Sequence, residues 1–287
     1  MTAREWLQKA KREKFAIGAF NVGNLETFKA IVQAATKLRS PVIIESSPGE
    51  TKWMGVDNMV DLAKNFSRDF DIPILVNLDH SETLEDCQVG IEAGYDLIHF
   101  DGSKLPLEEN LEIAKKVVEL AHQKGLTVEG EVDHITGSSE VHSGSAAEEA
   151  AKGKFSDPER SKRFVSESGI DVLAVFFGNV HGVFAGGDEN LHLDILEKVV
   201  QALPDTFFSL HGGSGIPDDQ VKEAIQKGIV KVNINTEMRQ VFRDSLETAL
   251  EKNPDEYAMY KIEGSVVEAA QQIVEHKIEV FGSAGKV

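Results

Sequence analysis

The feature that most constrains the fold of this chain is an eightfold alternation between short apolar runs and longer stretches of helical period. The apolar runs are rich in Val, Ile and Phe and have the length of strands, whereas the stretches between them repeat their apolar residues every three or four positions. The predicted strands cover residues 15–20, 41–46, 73–79, 97–100, 126–132, 172–178, 206–211 and 229–235.

Eight successive strand–helix units predict an α/β protein built as a closed, parallel (β/α)8 TIM barrel. An amphipathic stretch at the start of the chain and another from about Ser265 to Glu279 add N-terminal and C-terminal extra helices. Barrels of this kind commonly have roughly 250 residues, so we expect 1–287 to form a single domain. The polar region 133–157 is too long for an ordinary turn and predicts a functional loop.

Charge and cysteine content restrict the partners of the chain. Its net charge of −18 disfavours nucleic acid and anionic membrane surfaces, and we find no apolar run long enough for a membrane helix. The same charge means that any phosphate site must be built locally, from backbone amides, helix N-termini and a few cations. Cys87 is the single cysteine, which excludes an internal disulfide and favours a reducing cytoplasm.

Chemically active residues collect at the ends of the predicted strands. In TIM barrels the C-terminal strand ends form the active site. From the third strand onward these ends carry metal ligands, acid–base groups or anion-binding turns, namely Asp79-His80, Asp101-Gly102-Ser103, Glu129, Glu131, His181-Gly182, the run from His211 to Gly215, and Asn233-Ile234-Asn235-Thr236. A structural requirement alone does not place all of these groups on one rim.

Three of these strand-end residues are histidines, His80, His181 and His211, and a barrel brings their strand ends together. Three imidazoles that leave one coordination position open form a common catalytic zinc site. The remaining histidines lack such a context and are interpreted as structural or solvated; they are residues 99, 122, 134, 142, 192 and 276. The sequence therefore predicts one divalent metal site held by three histidines.

Carboxylates and a glycine-rich turn accompany the histidines. Asp79 directly precedes His80 and can exchange a proton with a substrate oxygen near the metal, although it can also cap the following helix. Asp101 and Glu131 can orient the histidines, bind a second metal, or form internal salt bridges. The segment HGGSGIPDD, which begins at His211, offers backbone amides and a helix start to an anion.

Several sequence motifs follow one another in a definite order along the chain. They are GAFNVGNLET (18–27), SPVIIESSPG (40–49), NLDH (77–80), FDGS (100–103), VEGEV (128–132), AVFFGNVHG (174–182), SLHGGSGIPD (209–218) and KVNINTEMR (231–239). In this unbroken order, from about Phe15 to Gly282, the chain resembles the class II fructose-bisphosphate aldolase family, which also contains the tagatose-bisphosphate aldolases.

This resemblance implies a lyase of glycolysis and gluconeogenesis that reversibly cleaves fructose 1,6-bisphosphate into dihydroxyacetone phosphate and glyceraldehyde 3-phosphate. It implies catalytic Zn²⁺ on the three histidines, Asp79 as the proton-transfer group, and Asp101 and Glu131 at a second divalent position. A monovalent cation often assists phosphate binding in this family, whose members are homodimers or homotetramers. The residues that match its phosphate sites are Ser47, Gly182, Gly212, Gly213, Ser214, Asn233, Ile234, Asn235 and Thr236.

The chain departs from the family pattern in three places. Glu140 is the acid nearest to the loop position whose glutamate moves the C3 proton, but it is offset by about one residue. In the C-terminal region, Lys261 and Ile262 stand near the slot where the family often has an arginine that reaches a neighbour's phosphate site. Asn77 stands where a histidine often precedes the LDH triplet. The first two departures concern the far end of the substrate more than the metal.

Other functions remain open on the residues alone. Three histidines and Asp79 also suit hydrolysis by a metal-bound hydroxide. A Schiff-base aldolase is a second alternative, with Lys231 in the eighth strand, although no lysine has an evident desolvated setting. A tagatose-bisphosphate aldolase and a non-catalytic sugar-phosphate-binding protein complete the alternatives.

Overall fold

The predicted eight-stranded parallel barrel is present in the computed structural model, which describes residues 1–186 and 189–287. Around the barrel the strands follow the order β1-β10-β9-β7-β5-β4-β3-β2, and β6 pairs with β8 in a separate two-stranded sheet. The strands are β1 (Ile17–Asn21), β2 (Val42–Ser46), β3 (Ile74–Ser81), β4 (Leu97–Asp101), β5 (Thr127–Glu131), β6 (Gly137–His142), β7 (Val172–Ala174), β8 (His181–Phe184), β9 (Phe207–Leu210) and β10 (Ile229–Ile234).

Helices separate the barrel strands, as the alternation predicts. Those found in the described residues are α1 (Ala3–Glu13), α2 (Leu25–Leu38), α3 (Pro48–Met54), α4 (Val56–Phe70), α5 (Leu84–Ala93), α6 (Leu107–Gln123), α7 (Ala146–Ala150), α8 (Pro158–Ser168), α9 (Leu193–Ala202), α10 (Asp218–Lys227), α11 (Thr236–Lys252), α12 (Met259–Ile262) and α13 (Gly264–Val280). Both predicted extra helices are confirmed, as α1 and α13. No helix in the described part of the chain combines the length and apolar character that a membrane crossing needs.

Helix α1 closes the N-terminal end of the barrel. It begins at a capping box in which Thr2 and Glu5 satisfy each other's backbone amides. Its apolar face, with Trp6 and Leu7, packs against the first inward-facing residues of the strands, including Ile43 and Leu97. Burial of this face holds α1 against the N-terminal end of the barrel. The opposite, C-terminal end therefore remains open for an active site.

Inward-facing positions change from apolar to polar along the strands. In β4, Leu97 belongs to the apolar cluster under α1, whereas His99 and Asp101, two and four residues later, are buried polar groups. The intervening residues, Ile98 and Phe100, belong to the larger core between the strands and the outer helices. This period of two gives each strand an apolar outer face and a polar end on its inner face.

Strands β6 and β8 were not expected from the sequence and lie beside the barrel mouth. They pair in parallel, with Gly137 opposite His181 and His142 opposite Phe184. Gly137 has a φ of 96°, and any Cβ at this position would meet the carbonyl oxygen of His181. The polar region predicted as an irregular loop is therefore held by backbone pairing to the strand that begins with one of the predicted metal ligands.

Candidate metal centre and active site

The three predicted histidine ligands meet at the C-terminal end of the barrel. The ring centroid of His80 lies 4.9 Å from that of His181 and 4.8 Å from that of His211, and the last two are 6.0 Å apart. Nε2 of His80 and Nδ1 of His211 face each other at 3.1 Å. The strand ends thus bring together the imidazoles that lie far apart in the chain.

Each of these imidazoles donates a hydrogen bond from one ring nitrogen to an acceptor outside the histidine cluster. The other ring nitrogen remains available to a metal in the cluster. Nδ1 of His80 donates to Asp101 Oδ2 at 2.9 Å, Nε2 of His211 donates to Glu129 Oε1 at 2.7 Å, and Nδ1 of His181 donates to the Ile135 carbonyl at 3.3 Å. Within the described residues, the buried Nε2 of His181 has no hydrogen-bond partner. Such outer hydrogen bonds fix the tautomer that leaves a lone pair for a metal.

His99 also lies in the centre, although the sequence interpretation placed it outside. It is fully buried, and its possible ligand atoms lie within 4.8 Å of those of Asp79, His80 and His211. Its Nδ1, however, accepts the backbone N–H of His80 at 3.2 Å, so its other nitrogen carries the proton. His99 is therefore a poorer ligand than His181, and it supports the backbone of His80.

The backbone of β3 is irregular where it delivers Asp79 and His80. The pairing of β3 with β4 shifts register between Leu78 and Ser81, and His80 has a φ of 48°, in the left-handed region. A bulge of this kind re-aims side chains that strict alternation would send to opposite faces. Two consecutive residues can therefore serve one site, and the strained φ marks a position held by its surroundings.

Carboxylates outnumber cations around the histidines. Burial would lower the pKa of His80, but Asp79, Asp101 and Glu131 outweigh it and raise this pKa to about 10. Burial lowers the pKa of His211 to about 4, against the opposing effect of Glu129. The surrounding carboxylates favour positive charge at this position, and a divalent cation can supply that charge in place of the second imidazole proton, so the charge and donor set of this centre suit a metal.

The residues predicted for a second metal position also lie close together. Possible ligand atoms of His80, Asp101 and Glu131 lie within 4.8 Å of one another. Glu131 is fully buried; one of its oxygens accepts the Ile135 amide, and Oε2 has no hydrogen-bond partner among the described residues. Burial and the neighbouring Asp101 raise the pKa of Glu131 well above its ordinary value. A cation at this position would replace the missing partner of Oε2.

Asp79 is positioned by polar groups within the site and does not cap the next helix, since Thr83 caps α5. Its carboxylate accepts from the side-chain amides of Asn21 and Asn233, each at 3.3 Å. Burial would raise the pKa of Asp79, but the neighbouring His80 holds it well below its ordinary range. Asp79 is therefore ionised and can accept a proton.

Lys231 is fully buried, contrary to the expectation that no lysine is desolvated. Its Nζ lies 2.8 Å from Glu129 Oε2 and 3.5 Å from Glu45 Oε2. Burial alone would lower the pKa of Lys231, but these two carboxylates raise it above its usual value. The amine is held as an ammonium ion, and this argues against a Schiff-base nucleophile, which must be uncharged.

The Lys231 ion pair is connected to the candidate metal centre through Glu129. Glu129 joins the two, because it accepts from Lys231 with one oxygen and from His211 with the other. Ser209, also on an inward position, donates to the same oxygen of Glu129 as His211 does. The sequence placed Glu129 at a strand end without a specific role, offered Lys231 only as an alternative nucleophile, and gave no site role to His99; all three occupy inward strand positions in the structure.

A small cavity of about 30 Å³ adjoins the three histidines. Six of the nine residues that match the family's phosphate sites line it, namely Gly182, Gly212, Ser214, Asn233, Asn235 and Thr236. No lysine or arginine does so among the described residues. A larger cavity, about 800 Å³, lies between α11 and α13 and has no histidine in its lining. Because a sugar bisphosphate needs several hundred cubic ångströms, the small cavity must open to bind one.

Glycine makes the phosphate-type turn after β9 possible. Gly212 has a φ of 65°, and any Cβ there would meet the carbonyl oxygen of Val180. Two other residues that match the family's phosphate sites do not line the cavity: the Gly213 amide donates to the Asn233 carbonyl, and Ile234, at the end of β10, packs in the outer core.

The remaining predicted residues lie outside the cavity. Ser47 precedes α3, where its N–H and Oγ both donate to Glu50. Glu140 is exposed on β6, while Ser139, its neighbour, lines the cavity. Lys261 is exposed on α12 and pairs with Glu256 at 2.8 Å. Within one chain, the structure does not bring Lys261 to the site.

Comparison with known proteins agrees with this arrangement. The family model described as "Fructose-bisphosphate aldolase class-II" matches residues 1–286. The chain is 41% identical to a fructose-bisphosphate aldolase of Streptococcus pneumoniae, over all of this chain and 99% of that protein. It is 35% identical to the D-tagatose-1,6-bisphosphate aldolase subunit GatY of Klebsiella oxytoca, with the same coverage. The crystal structure of the YdjI aldolase from Escherichia coli K12 is similar at 28% identity and a TM-score of 0.82, covering 100% of this chain and 98% of that one.

Proposed function

We propose that this chain, which belongs to the class II fructose-bisphosphate aldolase family, cleaves fructose 1,6-bisphosphate reversibly into dihydroxyacetone phosphate and glyceraldehyde 3-phosphate with the help of Zn²⁺. The observation that carries the proposal is the set of three histidines, each with one nitrogen committed to an outer acceptor and the other left for the centre. The ionised Asp79 beside them supplies the proton acceptor that cleavage needs.

His80, His181 and His211 would hold the metal, and Asp101 with Glu131 would form a second divalent position. When bound, the metal supplies Lewis-acid stabilisation of the negative charge that develops on substrate oxygens as the C3–C4 bond breaks. The outer hydrogen bonds of the histidines orient them before the metal arrives, which reduces the reorganisation that binding requires.

Asp79 accepts the proton of the C4 hydroxyl in cleavage and returns it to the aldehyde oxygen in condensation. Asn21 and Asn233 hold its carboxylate in place through their amides. Glu140 moves the C3 proton of the dihydroxyacetone phosphate fragment once the β6 segment closes over the ligand. This assignment uses β6 because Ser139 already forms part of the cavity wall.

The phosphate of the dihydroxyacetone phosphate fragment is bound by the turn that contains Gly212, Gly213 and Ser214, by Gly182, and by Asn233 through Thr236. Backbone amides and hydroxyls suit this task in a chain of net charge −18, because they attract an anion without a cluster of basic side chains. A monovalent cation near the second and third histidines would assist. Ser47 serves the far phosphate, and Lys261 completes this subsite from a neighbouring subunit.

We place the enzyme in the cytoplasm as a single-domain subunit of a homodimer or homotetramer, with triose and ketose phosphates as its partners. Tagatose 1,6-bisphosphate is the second candidate substrate, favoured by the 35% identity to a tagatose-bisphosphate aldolase subunit. The two ketoses differ in configuration at C4, where Asp79 acts, so discrimination between them depends on how Asp79 is oriented.

A coupled cleavage assay tests the proposal. It compares fructose and tagatose 1,6-bisphosphates before and after EDTA treatment, with zinc or cobalt added back. We expect cleavage of the fructose compound, its loss in EDTA and its recovery with metal. Full activity after complete metal removal, or trapping of substrate on a lysine by borohydride, would contradict the metal-dependent mechanism. Saturable binding without turnover would indicate a non-catalytic binding protein.

A further inference from the structure

A buried ion pair lies behind the turn that follows β9. Nζ of Lys277, in the last turn of α13, lies 2.9 Å from Oε1 of Glu237, in the first turn of α11. The side chain of Lys277 is 6% exposed and that of Glu237 is 21% exposed. Lysine side chains are rarely buried to this extent unless a partner compensates their charge. The pair therefore keeps a positive charge inside the protein, next to the helix that starts at the barrel mouth.

Glu237 connects this lysine to the turn. Its Oε1 also accepts the Gly215 N–H at 2.6 Å, and its own N–H donates to Ser214 Oγ at 3.3 Å. These two bonds hold the turn against the first turn of α11, where the N-cap residue, Asn235, makes no side-chain capping bond. Because the Ser214 oxygen accepts a bond from Glu237, its hydroxyl hydrogen can point towards an anion in the cavity. Glu237 thus fixes the relative position of the two elements that we propose to bind a phosphate.

Glu237 also places a negative charge close to this phosphate subsite. Thr236, the residue before it, lines the cavity at the histidines, and so does Ser214. A carboxylate at this distance repels a phosphate dianion, and no lysine or arginine of the described residues lines the cavity to offset the repulsion. Lys277 contacts the carboxylate directly, and dissolved salt screens a buried pair much less than an exposed one. Its charge therefore opposes that of Glu237 where a phosphate would otherwise be repelled.

We propose that Lys277 is a positioning residue for the phosphate of the dihydroxyacetone phosphate fragment, and that it acts through Glu237. It neutralises the carboxylate behind the turn while that carboxylate holds the Gly215 amide and the Ser214 hydroxyl in place. Lys277 itself does not touch the phosphate. This inference rests on the proposed function, because it concerns the binding of the same substrate. It accounts for a dianion subsite without a basic side chain in its described lining, in a chain of net charge −18.

An electrostatic role and a packing role for Lys277 predict opposite results for a double variant. If the lysine only fills space where α13 packs against α11, then changing Glu237 as well cannot repair its loss. If its charge matters, removal of the Glu237 charge cancels the effect of removing the lysine. Glutamine at position 237 suits this comparison, because its side-chain oxygen still accepts from the Gly215 amide but carries no charge.

The test measures the Kd of dihydroxyacetone phosphate by calorimetry with metal-loaded wild-type protein, Lys277→Met, Glu237→Gln and the double variant. We expect Lys277→Met to weaken binding about tenfold, the effect of one uncompensated charge at about 10 Å with an effective dielectric constant of about 20. Glu237→Gln should bind at least as tightly as wild type, and the double variant should recover most of the loss.

Cleavage of fructose 1,6-bisphosphate should show the same order in KM while kcat changes little, because the charge acts on the phosphate equally before and during the reaction. Lys37→Met is the matched control. It removes an exposed lysine that pairs at 2.7 Å with Glu275, two residues before Lys277 on α13, and it should leave the Kd unaltered.

Two results would overturn the inference: an unchanged Kd in folded Lys277→Met, or a double variant that binds no better than Lys277→Met. If Lys277→Met does not fold, Glu237→Gln decides by itself, since weaker binding by this variant contradicts the assigned repulsion and equal or tighter binding supports it. If the wild-type protein binds dihydroxyacetone phosphate but cleaves no ketose bisphosphate, the proposed function fails, and the order of the Kd values still tests the role of Lys277. Absence of this binding in the wild type refutes both.

Discussion

Replacing Lys231 by methionine retains a long side chain but removes the buried charge below the metal centre. The wild-type ammonium lies 2.8 Å from Glu129 and 3.5 Å from Glu45, and all three side chains are fully buried. Removal of one partner of a buried ion pair typically costs about 3–5 kcal/mol, because the other charge stays in a low-dielectric environment without compensation. In Lys231→Met, Glu129 and Glu45 both lose their positively charged partner.

Two features reduce the loss of folding stability in Lys231→Met. Glu129 keeps the hydrogen bonds from Ser209 and His211, and Glu45 keeps those from Asn77 and Asn233. Burial and the neighbouring Asp79 also raise the pKa of Glu45 to about 8, against the effect of Lys231, so this group takes up a proton readily. We therefore expect a loss near the lower end of the range, about 3 kcal/mol, out of a total stability of about 5–15 kcal/mol.

The loss of folding stability in Lys231→Met should increase with pH. A carboxyl group whose pKa is raised by folding binds more protons in the native state than in the unfolded state, so stability falls as pH rises between the two pKa values. For Glu45 in the wild type this interval runs from about 4.5 to about 8. Without Lys231 the native pKa of Glu45 rises further, so its interval extends upward, and the pKa of Glu129 loses the main charge that holds it well below its ordinary value. The difference between wild type and Lys231→Met should be larger at pH 9 than at pH 6.

Urea unfolding of metal-free protein measures this difference, because bound metal would add its own stabilisation. The fluorescence of Trp6, which is buried under the barrel, and far-UV circular dichroism report the transition. Lys198→Met removes an exposed lysine that pairs with Asp194 and should leave the midpoint unchanged. The double variant Lys231→Met/Glu129→Gln should recover part of the loss. A loss below about 1 kcal/mol, or one independent of pH, would refute the assigned role of the buried ion pair.

Three further predictions concern the reaction. Asp79→Ala should lower turnover by about two to four orders of magnitude, the usual contribution of a positioned proton-transfer group; metal analysis should find normal metal content, and loss of the metal would make Asp79 a structural support. Glu140→Gln should slow the exchange of the dihydroxyacetone phosphate proton with deuterated solvent, measured by NMR, and unchanged exchange would move this role to His134 or His142. Lys261→Ala should raise KM for fructose 1,6-bisphosphate while binding of dihydroxyacetone phosphate, measured by calorimetry, is retained; equal weakening of both, or a monomeric active enzyme, would contradict its role at the far phosphate.

The barrel could be predicted from the sequence because its strands are short apolar runs separated by helices with clear periodicity. Strands β6 and β8 could not be predicted in the same way. Residues 137–142 read GSSEVH and carry few apolar side chains, so neither strand periodicity nor a buried face identifies them as β6. Backbone pairing with the strand that starts at His181 stabilises this segment, and pairing partners far apart in the chain are not evident in a local pattern.

Part of the candidate site followed from residues at the strand ends, and part required the inward face of each strand. His80, His181 and His211 were predicted to converge, and their rings do lie together. His99 and Lys231 lie deeper, within strands that read as apolar runs. These residues could have been identified because they are polar and share the inward strand face with the strand-end residues. His99, for example, lies two positions before Asp101. Which hydrogen bonds each nitrogen makes could not be predicted, since they depend on side chains from separate strands.

The pairing of Gly137 with His181 has a consequence for how this family can vary. In a pair of parallel strands, the pairing of one residue sets the pairing of those that follow. An insertion or deletion of one residue in β6 therefore turns every following side chain to the opposite face. The ladder of β6 and β8 already shifts register between Gly137 and Val141, and Glu140 stands within this irregular stretch. The one-residue offset of Glu140 can be absorbed there while Gly137 stays paired with His181. Grafting the segment from a relative with a different offset would therefore succeed only if the graft begins after Gly137 and brings its own bulge.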